Sequence, residues 1–181
     1  MHGIFVTGTD TEIGKTIVSA ALMNYFRYQE NVCYWKPIQT GIEEDNDTET
    51  VRKLTNCSDN EIHDKGIRLE KPLSPHLSAR LVNTEITIKN TLECLPNKID
   101  DKFWIVEGAG GLLSPLSEED YNADLAIDLN AQLGFPLLVV SPNKLGTINA
   151  TLQTLVTANA YRTGLPVAGI VLNSVSEKPD A

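Results

Sequence analysis

Residues 3–16 read Gly-Ile-Phe-Val-Thr-Gly-Thr-Asp-Thr-Glu-Ile-Gly-Lys-Thr, an apolar segment entering a glycine-containing turn that ends on Gly14, Lys15 and Thr16. Such a segment has few structural solutions. A strand must give way to a loop whose backbone N–H groups turn inward on phosphate oxygens, followed by a helix that offers them its positive N-terminus. Lys15 then reaches the β- and γ-phosphates, and the Thr16 hydroxyl ligates Mg2+. The strict phosphate-loop spacing asks for glycine at position 9, where Thr9 stands, and Gly8 lies one residue upstream. Beyond the loop, Val18, Ala21, Leu22, Tyr25 and Phe26 recur at helical spacing, which predicts an apolar face packed on a sheet.

Strand and helix patterns alternate along most of the remaining chain. Strands are predicted at Ile4–Thr7, Val32–Lys36, Phe103–Glu107, Leu137–Ser141 and Val167–Leu172. Between them, Ile88, Leu92 and Leu95 mark a helix that Pro96 ends; Leu125, Leu129 and Leu133 mark another, and Ile148, Leu152, Leu155, Val156 and Asn159 a third. Residues 41–86 read as irregular, with the acidic run Glu43–Asp47, the Pro72 and Pro75 cluster, and one short helix near Thr48–Thr55. The expected fold class is α/β, a P-loop NTPase-like parallel sheet with helices on both faces. With 181 residues, 41% of them apolar and 22% charged, a single domain over residues 1–181 is expected.

Charge and cysteine content narrow the function classes. A net charge of −9 with no basic block argues against nucleic acid, whose binding draws on clustered Lys and Arg. Cys33, Cys57 and Cys94 lack metal-ligand spacing and suit reduced thiols in a cytoplasmic protein. His2, His63 and His76 are scattered. Apolar stretches such as Leu137–Val140 are far too short to span a bilayer, so no membrane is expected.

In open α/β sheets, ligands sit outside the carboxyl ends of the strands. That rule selects Lys36 after the second strand, a second cation near the phosphate loop, where charge develops during phosphoryl transfer. It also selects Glu107, a carboxylate suited to Mg2+ and its waters, followed by Gly108, Ala109, Gly110 and Gly111, where backbone can approach a nucleotide. In the acidic run, spacing does not separate Asp47 from Asp45 as a second magnesium carboxylate, and a solvated loop is the plainer reading. After the fourth strand, Asn143-Lys144-Leu145-Gly146 has glycine where guanine recognition needs aspartate, which excludes a GTPase. The N–H groups of Thr147, Ile148 and Asn149 open the next helix and are candidates for binding a carboxylate.

Together these segments resemble the dethiobiotin synthetase family. The resemblance rests on Gly8–Thr16, Lys36–Gly41, Pro72–Ala79, Val106–Leu116 and Lys144–Asn149, in the family's order and over most of the chain. The longer phosphate loop is itself a family feature. The resemblance implies a homodimer that uses ATP, Mg2+ and CO2 to close a urea ring on 7,8-diaminopelargonate through a carbamate and a carbamic–phosphoric anhydride. On that basis Glu12, Ile13, Gly14, Lys15, Thr16 and Ile17 hold the triphosphate, with Gly108, Ala109 and Gly110 beside the nucleotide. Thr16, Asp47 and Glu107 ligate magnesium. Lys15, Lys36 and Thr11 form the catalytic group, Thr40 touches the carbamate, and Asn173 and Ser174 face the adenine. Thr147, Ile148 and Asn149 hold the substrate carboxylate across a two-fold interface. The C-terminal end is expected to be shorter than the family's.

Two alternatives stand beside this reading. A nucleotide-switched partition or carrier ATPase usually carries a second lysine inside the phosphate loop, where this chain has Thr9–Glu12. A glutamine-dependent amide ligase would need a further domain or partner to release ammonia.

Overall fold

The computed structural model describes residues 2–96, 99 and 101–174. The expectation about the C-terminal end concerns residues 175–181, which lie outside the described residues. Strand β1 (Gly3–Gly8) feeds α1 (Lys15–Phe26), and β2 (Val32–Trp35) follows. Next come β3 (Ile38–Gln39), α2 (Asp47–Thr55), β4 (Ile62–His63), β5 (Ile67–Arg68), α3 (Pro75–Leu81) and α4 (Ile88–Leu92). The chain continues through β6 (Phe103–Glu107), α5 (Asn122–Leu133), β7 (Leu137–Pro142), α6 (Thr147–Ala160) and β8 (Val167–Asn173). Six strands form one sheet in the order β4-β2-β6-β1-β7-β8, with parallel pairing throughout; β3 and β5 form a separate parallel pair.

Alternation along the strands divides the core in two. Ile4, Val6, Tyr34, Phe103 and Ile105 face one side, where Val18 and Met23 of α1 and Val51 of α2 cover them. Phe5, Cys33, Trp35, Trp104 and Val106 face the other, beneath Ala79 of α3, Leu125 and Leu129 of α5 and Ala158 of α6. All five predicted strands form, and the expected sheet with helices on both faces is present.

Three local expectations are corrected. Ala21 and Tyr25 of α1 are exposed, and the buried side of that helix carries Lys15 and Ser19 beside Val18, Ala20 and Met23. Val18, Leu22 and Phe26 do pack on the core, so apolar spacing finds the face in part and misses the polar groups that α1 buries toward the strand ends. The Pro72 and Pro75 segment contains α3, since Pro75 occupies the first helical position, where its missing N–H is harmless. The irregular region also supplies β4, a two-residue edge strand too short to show a period. Among the described residues, no helix is long and apolar enough to cross a membrane.

Candidate active site

Parallel pairing brings the carboxyl ends of β1, β2, β6, β7 and β8 to one edge of the sheet, and the loops leaving β1, β2, β6 and β8, with Pro72–Pro75, line a cavity of about 800 Å³. The phosphate loop forms one wall. Glu12 and Gly14 both take positive φ, 54° and 88°. At Gly14 a Cβ would run into the Asn173 side-chain amide, and the φ of 88° itself strains any residue but glycine. That amide donates to the Ile13 carbonyl at 2.9 Å, tying the end of β8 to the loop. Lys15 Nζ donates to the Asp10 carbonyl at 2.9 Å. Burial, then the neighbouring Lys36 ammonium, lowers the Lys15 pKa to about 8 against the opposing pull of Glu107, Asp47 and Asp10.

A buried polar cluster lies beside the lysine. Thr16, on the first turn of α1, shares its hydroxyl proton between Asp47 Oδ1 at 2.8 Å and Glu107 Oε1 at 3.0 Å. Lys36, one residue past β2 and only 4% exposed, brings Nζ within 2.6 Å of Asp47 Oδ2 and 2.9 Å of Glu107 Oε1. It also donates to the Gly108 carbonyl at 3.2 Å. Burial alone would discharge this lysine, but Glu107 and then Asp47 raise its pKa above the ordinary lysine value. Burial likewise disfavours the Asp47 anion, and Lys36 overrides it, holding that carboxyl below its usual range. Asp47 reaches the cluster because Asn46 caps α2, its side chain accepting from the Glu49 N–H, which makes Asp47 the first helical residue. Asp45 stays exposed, so the two acids that spacing left equivalent are separated by the helix start.

The donor chemistry suits a hard divalent cation. Among the described residues no three His, Cys, Asp or Glu side chains converge. Mg2+ does not need such a cage, since it takes one or two carboxylates and fills its remaining places with water and phosphate oxygens. Thr16, Asp47 and Glu107 supply a hydroxyl and two carboxylates, each carboxylate within hydrogen-bond distance of the hydroxyl.

Most predicted positions meet on this cavity. Thr11, Glu12, Gly14, Lys15, Thr16 and Ile17 line the loop end, with Asn173 and Ser174 beside them. Lys36, Asp47 and Glu107 line its floor, Ala109 and Gly110 the β6 side, and Thr40 the far wall with Pro72–Pro75. Ile13 lies buried beneath the loop, and Gly108 takes part through its carbonyl. Thr147, Ile148 and Asn149 do not line the cavity of this chain. The Thr147 N–H, expected to be available for an anion, donates to the Lys144 carbonyl at 3.1 Å, because the tight turn at Gly146 folds back on itself.

The sequence reading missed three residues that organise the cluster. Ser19 and Tyr34 both donate to Glu107 Oε2, at 2.8 and 3.1 Å. Burial and the Glu107 charge push the Tyr34 pKa well above the usual phenol value. Asn122, buried on α5, accepts from the Ala109 N–H and donates to the Ala109 and Gly111 carbonyls, fixing the glycine loop after β6. The available signals were Ser19 one turn beyond Thr16, and Tyr34 two residues before Lys36 on the same strand face.

Comparison with known proteins agrees with this geometry. A family model described as an AAA domain matches residues 2–181. The chain is 43% identical over 173 residues to an ATP-dependent dethiobiotin synthetase of Paramagnetospirillum magneticum, covering 96% of this chain and 77% of that protein. The like-named protein of Agrobacterium fabrum is 42% identical over 166 residues, 92% of this chain and 72% of the relative. The one from Methanocaldococcus jannaschii is 41% identical over 182 residues, 96% and 80%. With a phosphate loop, two buried lysines and a carboxylate pair at the end of its sheet, the chain belongs to the ATP-dependent dethiobiotin synthetase family.

Proposed function

We propose that this chain carries out the reaction its relatives are named for, ATP-dependent dethiobiotin synthesis, by adding CO2 to 7,8-diaminopelargonate and closing the ring. One amine captures CO2 as a carbamate. A carbamate oxygen attacks the γ-phosphate of ATP, ADP leaves, and a carbamic–phosphoric anhydride forms. The second amine then attacks the anhydride carbonyl carbon, the bond to phosphate breaks, and the cyclic urea is complete. Each step gathers anions in one place, so positioning and charge neutralisation do the catalysis and no nucleophilic side chain is needed.

The observation that carries this reading is Lys36, buried at 4% exposure and kept charged by Asp47 and Glu107 at the floor of the cavity. Its ammonium would neutralise the carbamate and γ-phosphoryl oxygens, while Lys15 and Thr11 would serve the phosphate side. Glu12, Ile13, Gly14, Thr16 and Ile17 cradle the triphosphate, Gly108–Gly110 flank it, and Asn173 and Ser174 take the adenine. Thr40 contacts the carbamate. Thr16, Asp47 and Glu107 hold Mg2+, which neutralises phosphate charge when bound.

The working unit we propose is a cytoplasmic homodimer built from one P-loop domain, residues 1–181. Leu145 and Ile148, 94% and 75% exposed, continue along α6 with the exposed Leu152 and Val156, and this apolar stripe suits a second copy. The first turn of α6, Thr147–Asn149, then meets the substrate carboxylate in the partner's cavity, through the N–H groups of Ile148 and Asn149 since that of Thr147 is taken. ADP release measured with the diamine and bicarbonate omitted in turn tests the reaction: release should require both. Equal release without the diamine would overturn it in favour of a nucleotide-switched ATPase.

A further inference from the structure

Glu107 is fully buried, yet it offers the cavity only half of its carboxylate. Oε1 meets Lys36 and Thr16, at 2.9 and 3.0 Å. Oε2 points inward and accepts from the Ser19 hydroxyl at 2.8 Å and the Tyr34 phenol at 3.1 Å, both residues being wholly inaccessible to solvent. The two donors arrive from different elements. Ser19 lies three residues beyond Thr16, so both hydroxyls leave the same face of α1. Tyr34 pairs with Ile105 in the β2–β6 ladder, which sets its ring on the sheet face shared by Glu107 and Lys36.

We infer that Ser19 and Tyr34 are positioning residues that pin the inner oxygen of Glu107, so that Oε1 alone is aimed at the metal and at Lys36. The inference rests on the reading of Glu107 as a metal ligand given above. Glutamate turns broadly about its terminal torsion, whereas Mg2+ demands near-octahedral, well-aimed oxygens. Two donors on one oxygen remove that freedom before the metal arrives. Losing either donor leaves Oε2 held by the other alone, so the carboxylate turns more freely and aims Oε1 at the cation less well. Outer partners of metal ligands typically matter about 10–100-fold in affinity.

The test uses Mn2+ as the probe, titrated by electron paramagnetic resonance in the presence of ADP without the diamine, so that nothing turns over. Tyr34→Phe and Ser19→Ala should each weaken Mn2+ binding about tenfold, and Ser19→Thr, which keeps a hydroxyl, should recover part of the loss. In a Glu107→Gln background neither change should weaken binding further, because both act through that carboxylate. Tyr161→Phe is the control, since its hydroxyl donates to Asp124 at 3.0 Å and not to the cluster; it should leave Mn2+ affinity unchanged. ADP binding in EDTA, retained in each variant, shows the loop is folded. Wild-type Mn2+ affinity in both Tyr34→Phe and Ser19→Ala, or an equal loss in the Glu107→Gln background, would overturn the inference. The measurement needs no diamine, so a failure of the proposed reaction would not alter its outcome.

Discussion

The cluster at the ends of β2 and β6 and the first turn of α6 occupy the same edge of one sheet, yet they complete themselves in opposite ways. Around Glu107, four side chains from α1, β2 and the residue after β2 satisfy one carboxylate inside a single chain. At α6, Leu145 and Ile148 stand almost bare in water beside a helix end that touches no part of this chain's cavity. The first region is preorganised; the second, in the dimer proposed above, is completed by the partner. Charge placed in the first should therefore alter chemistry, and charge placed in the second should alter assembly.

The largest expected effect separates the two directly. Lys36→Gln should lower diamine-dependent ADP release on the order of a hundredfold or more, because a preorganised cation acts on charge that develops in the transition state. Sedimentation of that variant should match the parent. Near-normal turnover would mean the buried lysine is only structural. Next, Asp47→Asn should raise the Mg2+ concentration for half-maximal activity about tenfold while Asp45→Asn leaves it in place, since a metal needs hard oxygens at fixed positions. An unchanged magnesium titration for Asp47→Asn would remove it from the site.

On the open side, Ile148→Asp should shift the sedimentation coefficient to that of a monomer and reduce dethiobiotin formation about tenfold. ADP binding should survive. A methyl ester of the diamine should bind about tenfold more weakly than the acid, because the helix-end dipole then loses its anion. Equal affinity of acid and ester, or full activity in a proven monomer, would sink the shared-site geometry.

The smallest effect is a pH limb belonging to the closed region. With Lys15 lowered to about 8, its ammonium is intact below that pH and is lost above it. ADP affinity measured in EDTA should thus fall several-fold as pH rises from about 7 to 9, and Lys15→Arg, which stays charged, should flatten the limb. Folding responds with the opposite sign. The folded pKa lies below the unfolded value, so the buried ammonium costs stability at low pH, and this cost is relieved as pH climbs from about 8 towards the ordinary lysine value of 10.5.

The same division governs what a reader of the sequence could see. Five strands and the phosphate loop announce themselves, because buried parallel strands are continuous apolar runs and the loop has a fixed chemistry. Lys36 and Glu107 were legible as strand-end residues. Asp47 was not, because its distinction from Asp45 depends on where Asn46 starts a helix, a boundary set by one side-chain hydrogen bond. Ser19 and Tyr34 were hidden for a different reason. A serine on a helix and a tyrosine in a strand look ordinary until the sheet register carries them to one oxygen. The α6 turn was visible, but the use already made of the Thr147 N–H was not, since Lys144 folds back on it only in three dimensions.

The hydrogen bond from Asn173 to Ile13 spans 160 residues of sequence. It joins the phosphate loop to the last strand of the described sheet. Contacts of such separation close late, after the intervening chain has folded. The loop that most identifies this protein thus gains this hydrogen bond only once β8 has docked. A nascent chain stalled before residue 173 would display the phosphate-loop sequence without its grip.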